Sequence, residues 1–348
     1  MHMADALLAP AVAATMYVAS GTAAGISIHR LKKDDEPQKL PTMAVTSALV
    51  FAGQMINYTI PGTGSSGHMC GGMLLSALLG PQAGFLSMIV ILTIQCLFFA
   101  DGGLMALGAN VWNMAFYGCF VGYYLIWRPI MQGKSGMSTR VRIILASIVG
   151  CVLTLQLGAF SVVLETTLSG ITELPFGAFL ALMQPIHLAI GLIEGMVTAA
   201  VLVFVYESRP ELLRDVDASA ATTRRSLKST LAILAVVVAI VGGGLSLLAS
   251  SNPDGLEWAL FGNEEAGYSA NMGLDEDDFG VSSGVADTAA AIQESTSFLP
   301  DYAFADSDSA AGTTVSGLVG SAMVAGVAVL ICFAGGFFRK KKTANHTA

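Results

Sequence analysis

The first two residues, Met1 and His2, carry the most specific chemistry in the chain. A large second residue such as His generally blocks removal of the initiator methionine, so Met1 is expected to persist. Three nitrogens then stand together: the Met1 α-amine, the His2 amide and the His2 imidazole. Once the amide loses its proton, the three close nearly planar fused chelate rings, and a fourth nitrogen completes a square-planar set. Such a set suits Ni(II) or Cu(II). Filling it releases protons, so affinity should fall at low pH. His68 is the candidate fourth ligand, within P-G-T-G-S-S-G-H-M-C-G-G, Pro61 to Gly72. Its glycines let the loop approach another backbone closely. Either histidine alone reads more simply as an incidental start or a loop and cap residue. Together with the amine, the two readings stand level.

Other groups have weaker claims. Met69 and Cys70 could be soft ligands, though packing residues at a helix start is the plainer reading. His187 and Glu194 lie seven apart in one apolar run and so share a helix face. Ionisable groups inside a membrane are candidates for function by default. This pair could orient ligands from behind or tie helices together. Asp101 at a helix end, and Asn110 and Asn113 at the next start, read as caps and turn formers, with support of the ligands as the alternative. His29, in a basic loop, and His346, in the tail, read as solvated. Gly64-Ser65-Ser66-Gly67 fits the short pattern around the nucleophile of intramembrane serine proteases, with His187 as its base; four residues of a glycine-serine loop say little. The five cysteines form no C-x-x-C, hence neither a disulfide framework nor a zinc site.

The elements that must hold these groups are apolar helices. Of 348 residues, 54% are hydrophobic and 12% charged, against about 25% charged in soluble domains. Mean hydropathy is +0.66. Apolar runs near the ~20 residues that cross a bilayer fall at about 11–28, 42–60, 69–79, 84–100, 110–127, 143–164 and 176–206, then at 230–249 and 315–338. No positive n-region precedes the first, so it reads as a permanent span rather than a cleavable signal. Basic residues follow spans one, five, seven and nine, ending in Arg339 to Lys342. Placing all four in the cytoplasm puts the N-terminus, His68 and the segment Ser251 to Thr313 outside and the C-terminus inside. That segment has thirteen Asp and Glu and no Lys or Arg. It reads as a partly disordered, solvated loop. Asp275 to Asp278 lacks the spacing of a calcium loop. Nothing points to nucleic acid.

Several ordered motifs resemble one family. M-H-M-A-D-A-L-L-A-P-A-V, the His68 loop, L-L-G-P-Q-A and F-F-A-D-G-G-L-M-A-L-G-A-N-V-W-N-M-A are similar to the CbiM/NikM permeases, the substrate-binding subunits of cobalt and nickel energy-coupling-factor (ECF) importers. The likeness spans Met1 to Ser208 and implies metal ligands at Met1, His2 and His68. Met3 and Ala4 depart from a frequent Ile and Pro, and the serine-rich loop is slightly long. S-N-P-D-G-L-E-W, Ser251 to Trp258, resembles the PDGLE motif of two-span accessory proteins, which tilts the expected ion toward nickel. The expected fold is an all-α polytopic membrane bundle of about seven helices (1–208), a charged linker (209–228) and a two-span module (229–342). The resemblance implies a transmembrane coupling subunit and two cytoplasmic ATPases as partners, in the cell membrane. No P-loop occurs, so this chain is not expected to hydrolyse ATP. No catalytic residue or resident cofactor is expected; Ni2+ or Co2+ is cargo. A metal sensor that does not transport is the remaining alternative.

Overall fold

The computed structural model describes residues 1–32, 39–133, 136–171, 175–217, 225–268, 280–304 and 311–335. Seven helices form the first module. They are α1 (Pro10–Leu31), α2 (Lys39–Gln54), α3 (Gly72–Leu79), α4 (Pro81–Phe99), α5, α6 (Thr139–Leu168) and α7 (Phe176–Ser208). α5 is a continuous helix in three pieces: Leu107–Asn110, a π-helical stretch Val111–Trp127, and Arg128–Gln132. A hairpin of β1 (Tyr58–Ile60) and β2 (Ser65–Gly67) separates α2 from α3.

The local reasons are visible in sequence. Pro10 and Pro81 open α1 and α4 at the helical position where a missing N–H costs nothing. Ser138 caps α6 by accepting from the Val141 amide. Gly80 divides α3 from α4 at φ 87°, a conformation suited to glycine. α6 and α7 pack along their length because Gly191 and Gly195 bring the backbones together. A Cβ on Gly195 would stand 2.6 Å from the Ile148 Cα. Such small-residue seams drive helix association where lipid removes the hydrophobic gradient.

Hydropathy overstates two of the spans. The third apolar run does not cross a membrane as a helix. Its eight helical residues span about 12 Å, against the ~30 Å hydrocarbon core. The second run ends as helix at Gln54, and its remainder enters the hairpin. Six described helices are long and apolar enough to cross, in α1, α4, α6, α7, Leu227–Leu248 and Ala311–Phe333, with a shorter apolar helix at Leu40–Gln54. The chain is an all-α multi-pass membrane protein.

The second module holds α8 (Leu227–Gly243), α9 (Gly255–Phe261), α10 (Gly284–Thr296) and α11 (Ala311–Gly335). α8 and α11 pack on each other and on α2, α11 also on α4, and α9 on α7 and β2. The described part of the acidic segment is therefore folded and docked, not a loose solvated loop. The Val281 amide donates to the Ala6 carbonyl, and Gln293 Nε2 donates to the carbonyls of Cys96 and Gly102. Apolar side chains carry the docking: Phe298 and Tyr302 pack on Phe99. Asp275 to Asp278, His346 and Arg339 to Lys342 lie outside the described residues.

Candidate metal centre

The N-terminal segment, Met1 to Ala4, is threaded between the end of α4 and the start of α5. Asn110 clamps it: its Oδ1 accepts from the Met3 amide at 2.7 Å, and its Nδ2 donates to the Met3 carbonyl at 3.1 Å. The Gly103 amide also donates to that carbonyl. These bonds bring Met1, His2 and His68 together. The His2 and His68 rings stack with centroids 5.2 Å apart and 23° between planes. The Met1 amine donates to Asp254 Oδ2 at 2.8 Å, with Met1 only 5% exposed. His2 Nδ1 stands 3.0 Å from Asp101 Oδ1, and its Nε2 is buried without a hydrogen-bond partner.

His68 Nδ1 lies 3.1 Å from the Met69 carbonyl. A neutral ring donating there leaves its Nε2 lone pair free for a cation. Burial lowers the His68 pKa to about 4, helped by the nearby Met1 ammonium and His2, so the ring is neutral at physiological pH. Burial alone would lift the Asp254 and Asp101 carboxyls. The Met1 ammonium holds Asp254 well below the usual carboxylate range, and His2 does the same for Asp101. Burial alone would lower the Met1 amine, but Asp254 outweighs it and the amine rises above its ordinary value. Among the described residues, no three His, Cys, Asp or Glu side chains converge closely enough to hold an ion. Any ion held here needs the amine and backbone as donors.

The remaining polar groups of this region separate by role. Glu194 reaches the loop that carries His68: its two oxygens accept from the Cys70 amide at 2.7 Å and the Gly71 amide at 2.9 Å. His187 shares a cavity of about 10 Å³ with Met1, His68 and Asp254. Its Nδ1 is 2.8 Å from the Met183 carbonyl, and its Nε2 has no partner. Asn110 and Asn113 are not helix caps. Asn110 is the clamp on Met3, and Asn113 donates to Glu165 Oε2 at 2.8 Å, tying α5 to α6. Asp101 bridges His2 to Tyr302, whose hydroxyl donates to Oδ2 at 2.5 Å. Ser66 is not paired with His187: its hydroxyl donates to the Asn252 carbonyl at 2.7 Å, and His187 Nδ1 lies at the Met183 carbonyl. His29 falls in the last turn of α1.

Asp254 and Tyr302 join the centre without having stood out in the sequence. Both come from the second module and touch the centre of the first. Tyr302 gave no signal. Asp254 did: Asp254-Gly-Leu-Glu257 is a capping box, and the structure forms it at α9 with both reciprocal bonds. One oxygen of Asp254 caps Leu256 and Glu257 while the other takes the Met1 amine. Loss of the clamp is expected to be measurable. If these donors hold a divalent ion, Asn110→Ala should weaken its binding by about 10-fold, the lower range for residues that orient ligands, in a competition titration; an unchanged affinity would show that the N-terminal segment holds its register without it.

Residues 2–212 match the family described as the cobalt uptake substrate-specific transmembrane region, and residues 228–335 match the PDGLE domain. A protein of Archaeoglobus fulgidus, provisionally named as a fused nickel transport protein NikMN, is 35% identical over 93% of this chain and 95% of its own length. The fused nickel transport protein NikMN of Rhodobacter capsulatus is 32% identical over 93% of this chain and 95% of its own. A crystal structure of a transition metal transporter superposes with TM-score 0.53 at 30% identity, covering 61% of this chain and 96% of that one. His2, His68 and the helices that hold them fall within the first match, Met1 directly precedes it, and Asp254 falls within the second. The chain belongs to the family of cobalt uptake substrate-specific transmembrane proteins, with a PDGLE domain joined to its C-terminal side.

Proposed function

We propose that this chain is the substrate-binding membrane subunit of an ECF-type importer for nickel or cobalt, with nickel favoured. The convergence of the Met1 amine, His2 and His68 in one buried place carries the reading. The ligand set would be the Met1 amine, the His2 amide and imidazole, and His68. A planar chelate with amine and amide would close through His2 Nδ1, the nitrogen that stands 3.0 Å from Asp101 Oδ1. Capture therefore exchanges two contacts: the amine leaves Asp254 and the ring leaves Asp101. The relatives that match along almost the whole chain are named as nickel transport proteins, which supports nickel over cobalt here. The positive loops favour an N-terminus outside and a C-terminus in the cytoplasm. A transmembrane coupling subunit and two ATPases would drive inward delivery, so ATP hydrolysis would lie outside this chain.

Uptake tests the reading directly. Cells carrying this chain with its coupling and ATPase subunits are expected to accumulate radioactive nickel, and to stop when the ATPases are inactivated. No accumulation of either ion would leave binding without transport, the behaviour of a sensor.

Binding should also depend on pH with a definite sign. The raised Met1 amine is protonated at neutral pH, and the His2 amide carries its proton at any ordinary pH. Each must lose that proton to bind, whereas neutral His68 loses none. Apparent affinity is expected to rise with pH, about tenfold per unit per displaced proton, and to level off for the amine above its raised pKa. A flat titration between pH 6 and 8 would remove the amine from the ligand set.

A further inference from the structure

We infer that the cleft between the two modules is an outer cation-binding vestibule, which gathers hydrated divalent ions and passes them to His2. This rests on the metal reading above and extends it to the path by which the ion arrives. The cleft has a volume of about 550 Å³, far more than the cavity beside His68. Among the described residues five carboxylates line it, Asp5 and Asp101 from the first module and Asp254, Glu257 and Asp301 from the second, and no Lys or Arg does. Burial and the neighbouring Asp101 push the Asp301 carboxyl up, as expected where carboxylates crowd one space.

The carboxylates alone would make only an acidic surface. The independent sign of a ligand is His2, which also lines the cleft. Its side chain is 7% exposed, and its Nε2 has no hydrogen-bond partner. A buried imidazole nitrogen without a partner is costly, and a cation arriving from the cleft would satisfy it. The chemistry suits a divalent ion that still holds its water. Carboxylates bind such an ion through its hydration shell, and His2 Nε2 then begins to replace water, before the ring turns its Nδ1 from Asp101 into the chelate. A cleft walled by one sign of charge also concentrates counter-ions and speeds their arrival. Three of the five carboxylates come from the second module, so that module would raise the rate of loading.

The test separates rate from affinity. Asp5, Glu257 and Asp301 lie off the proposed ligands. The triple variant Asp5→Asn, Glu257→Gln, Asp301→Asn keeps an acceptor oxygen at each place, including the one on the Ala106 amide and the one on the Asp254 amide. Association of Ni2+ with the purified full chain would be followed by stopped flow at low and high salt. At low salt the triple variant should associate about 10-fold more slowly, at the lower end of electrostatic steering, with dissociation unchanged. At high salt the two rates should converge, and the charge-preserving Asp301→Glu should match the unaltered chain throughout. Equal association rates at low salt would overturn the vestibule while leaving the metal centre standing. Slower association together with faster dissociation would mark the carboxylates as structural and also overturn it. No nickel or cobalt binding by the unaltered chain, with Met1 confirmed by intact mass, would overturn the metal reading and the vestibule with it.

Discussion

One residue added ahead of Met1 is expected to lower nickel and cobalt affinity by about 100-fold or more. The Asn110 clamp on Met3 fixes the register of the N-terminal segment. The new amine must therefore sit one residue away, about 3.8 Å in Cα position. Where the amine stood, the extended chain places an amide nitrogen, uncharged and able to bind only if it too loses its proton, as the His2 amide must. Met1 is only 5% exposed, so the added residue has no room without displacing packed neighbours. Asp254 loses its cation at the same time. The Asp254 side chain is 21% exposed and keeps the Leu256 and Glu257 amides, so losing its cation costs less than the loss at a fully buried carboxylate, about 3–5 kcal/mol. Changes behind a metal ligand already cost about 10–100-fold, and this one removes the ligand itself. The measurement is a competition titration with Ni2+ and Co2+ on protein whose intact mass shows the added residue, beside the same protein after that residue is cleaved off. Equal affinity before and after cleavage would exclude the amine as a ligand. The remaining donors near His68, among them His187 Nε2, would then have to be tested.

Much of this centre was legible in the sequence because chelate chemistry is local. Met1 and His2 are adjacent, so their three nitrogens meet whatever the fold. His68 was reachable through its glycine-rich loop and the parity of apolar runs. The structure stacks its ring on His2. The limits were those of distance along the chain. Apolar runs report that a helix can lie in a bilayer, but the run at 69–79 is helical only from Gly72, after Gly71 turns the chain at φ 83°, which hydropathy does not register. Asn110 has the composition of a cap, and only tertiary structure shows it holding Met3. Asp254 lies 253 residues from Met1, a pairing no spacing rule could reach. The acidic segment misled for a related reason. Its charge and small residues resemble those of a solvated loop, but Leu256, Trp258, Leu260 and Leu299 are buried. Those few apolar side chains, with hydrogen bonds to the first module, suffice to dock it.

Glu194 is expected to matter next most, although it touches none of the three proposed ligands. Its carboxylate accepts from the amides of Cys70 and Gly71, the residues that carry the chain from His68 into α3. Neither amide has another acceptor among the described residues, and both residues are buried. In Glu194→Ala each amide loses its acceptor, at about 1–3 kcal/mol apiece. A cavity beside Cys151 adds to the cost. The loop can recover those bonds only by moving, and His68 moves with it. Nickel affinity should therefore fall by about 10–100-fold together with a lower unfolding temperature. Glu194→Gln keeps one acceptor oxygen and turns an amide group toward the other N–H, so it should fall between the two. A merely destabilised protein would give the same temperature shift, so a control at the opposite end of the bundle is needed. Tyr123 donates to Asp215 Oδ2 at 2.6 Å there. Tyr123→Phe should lower the unfolding temperature and leave nickel affinity unchanged. If Glu194→Ala behaves as that control does, the carboxylate only holds helices together. If affinity falls in the order Glu, Gln, Ala while Tyr123→Phe binds normally, Glu194 is the residue that positions the His68 loop for the ion.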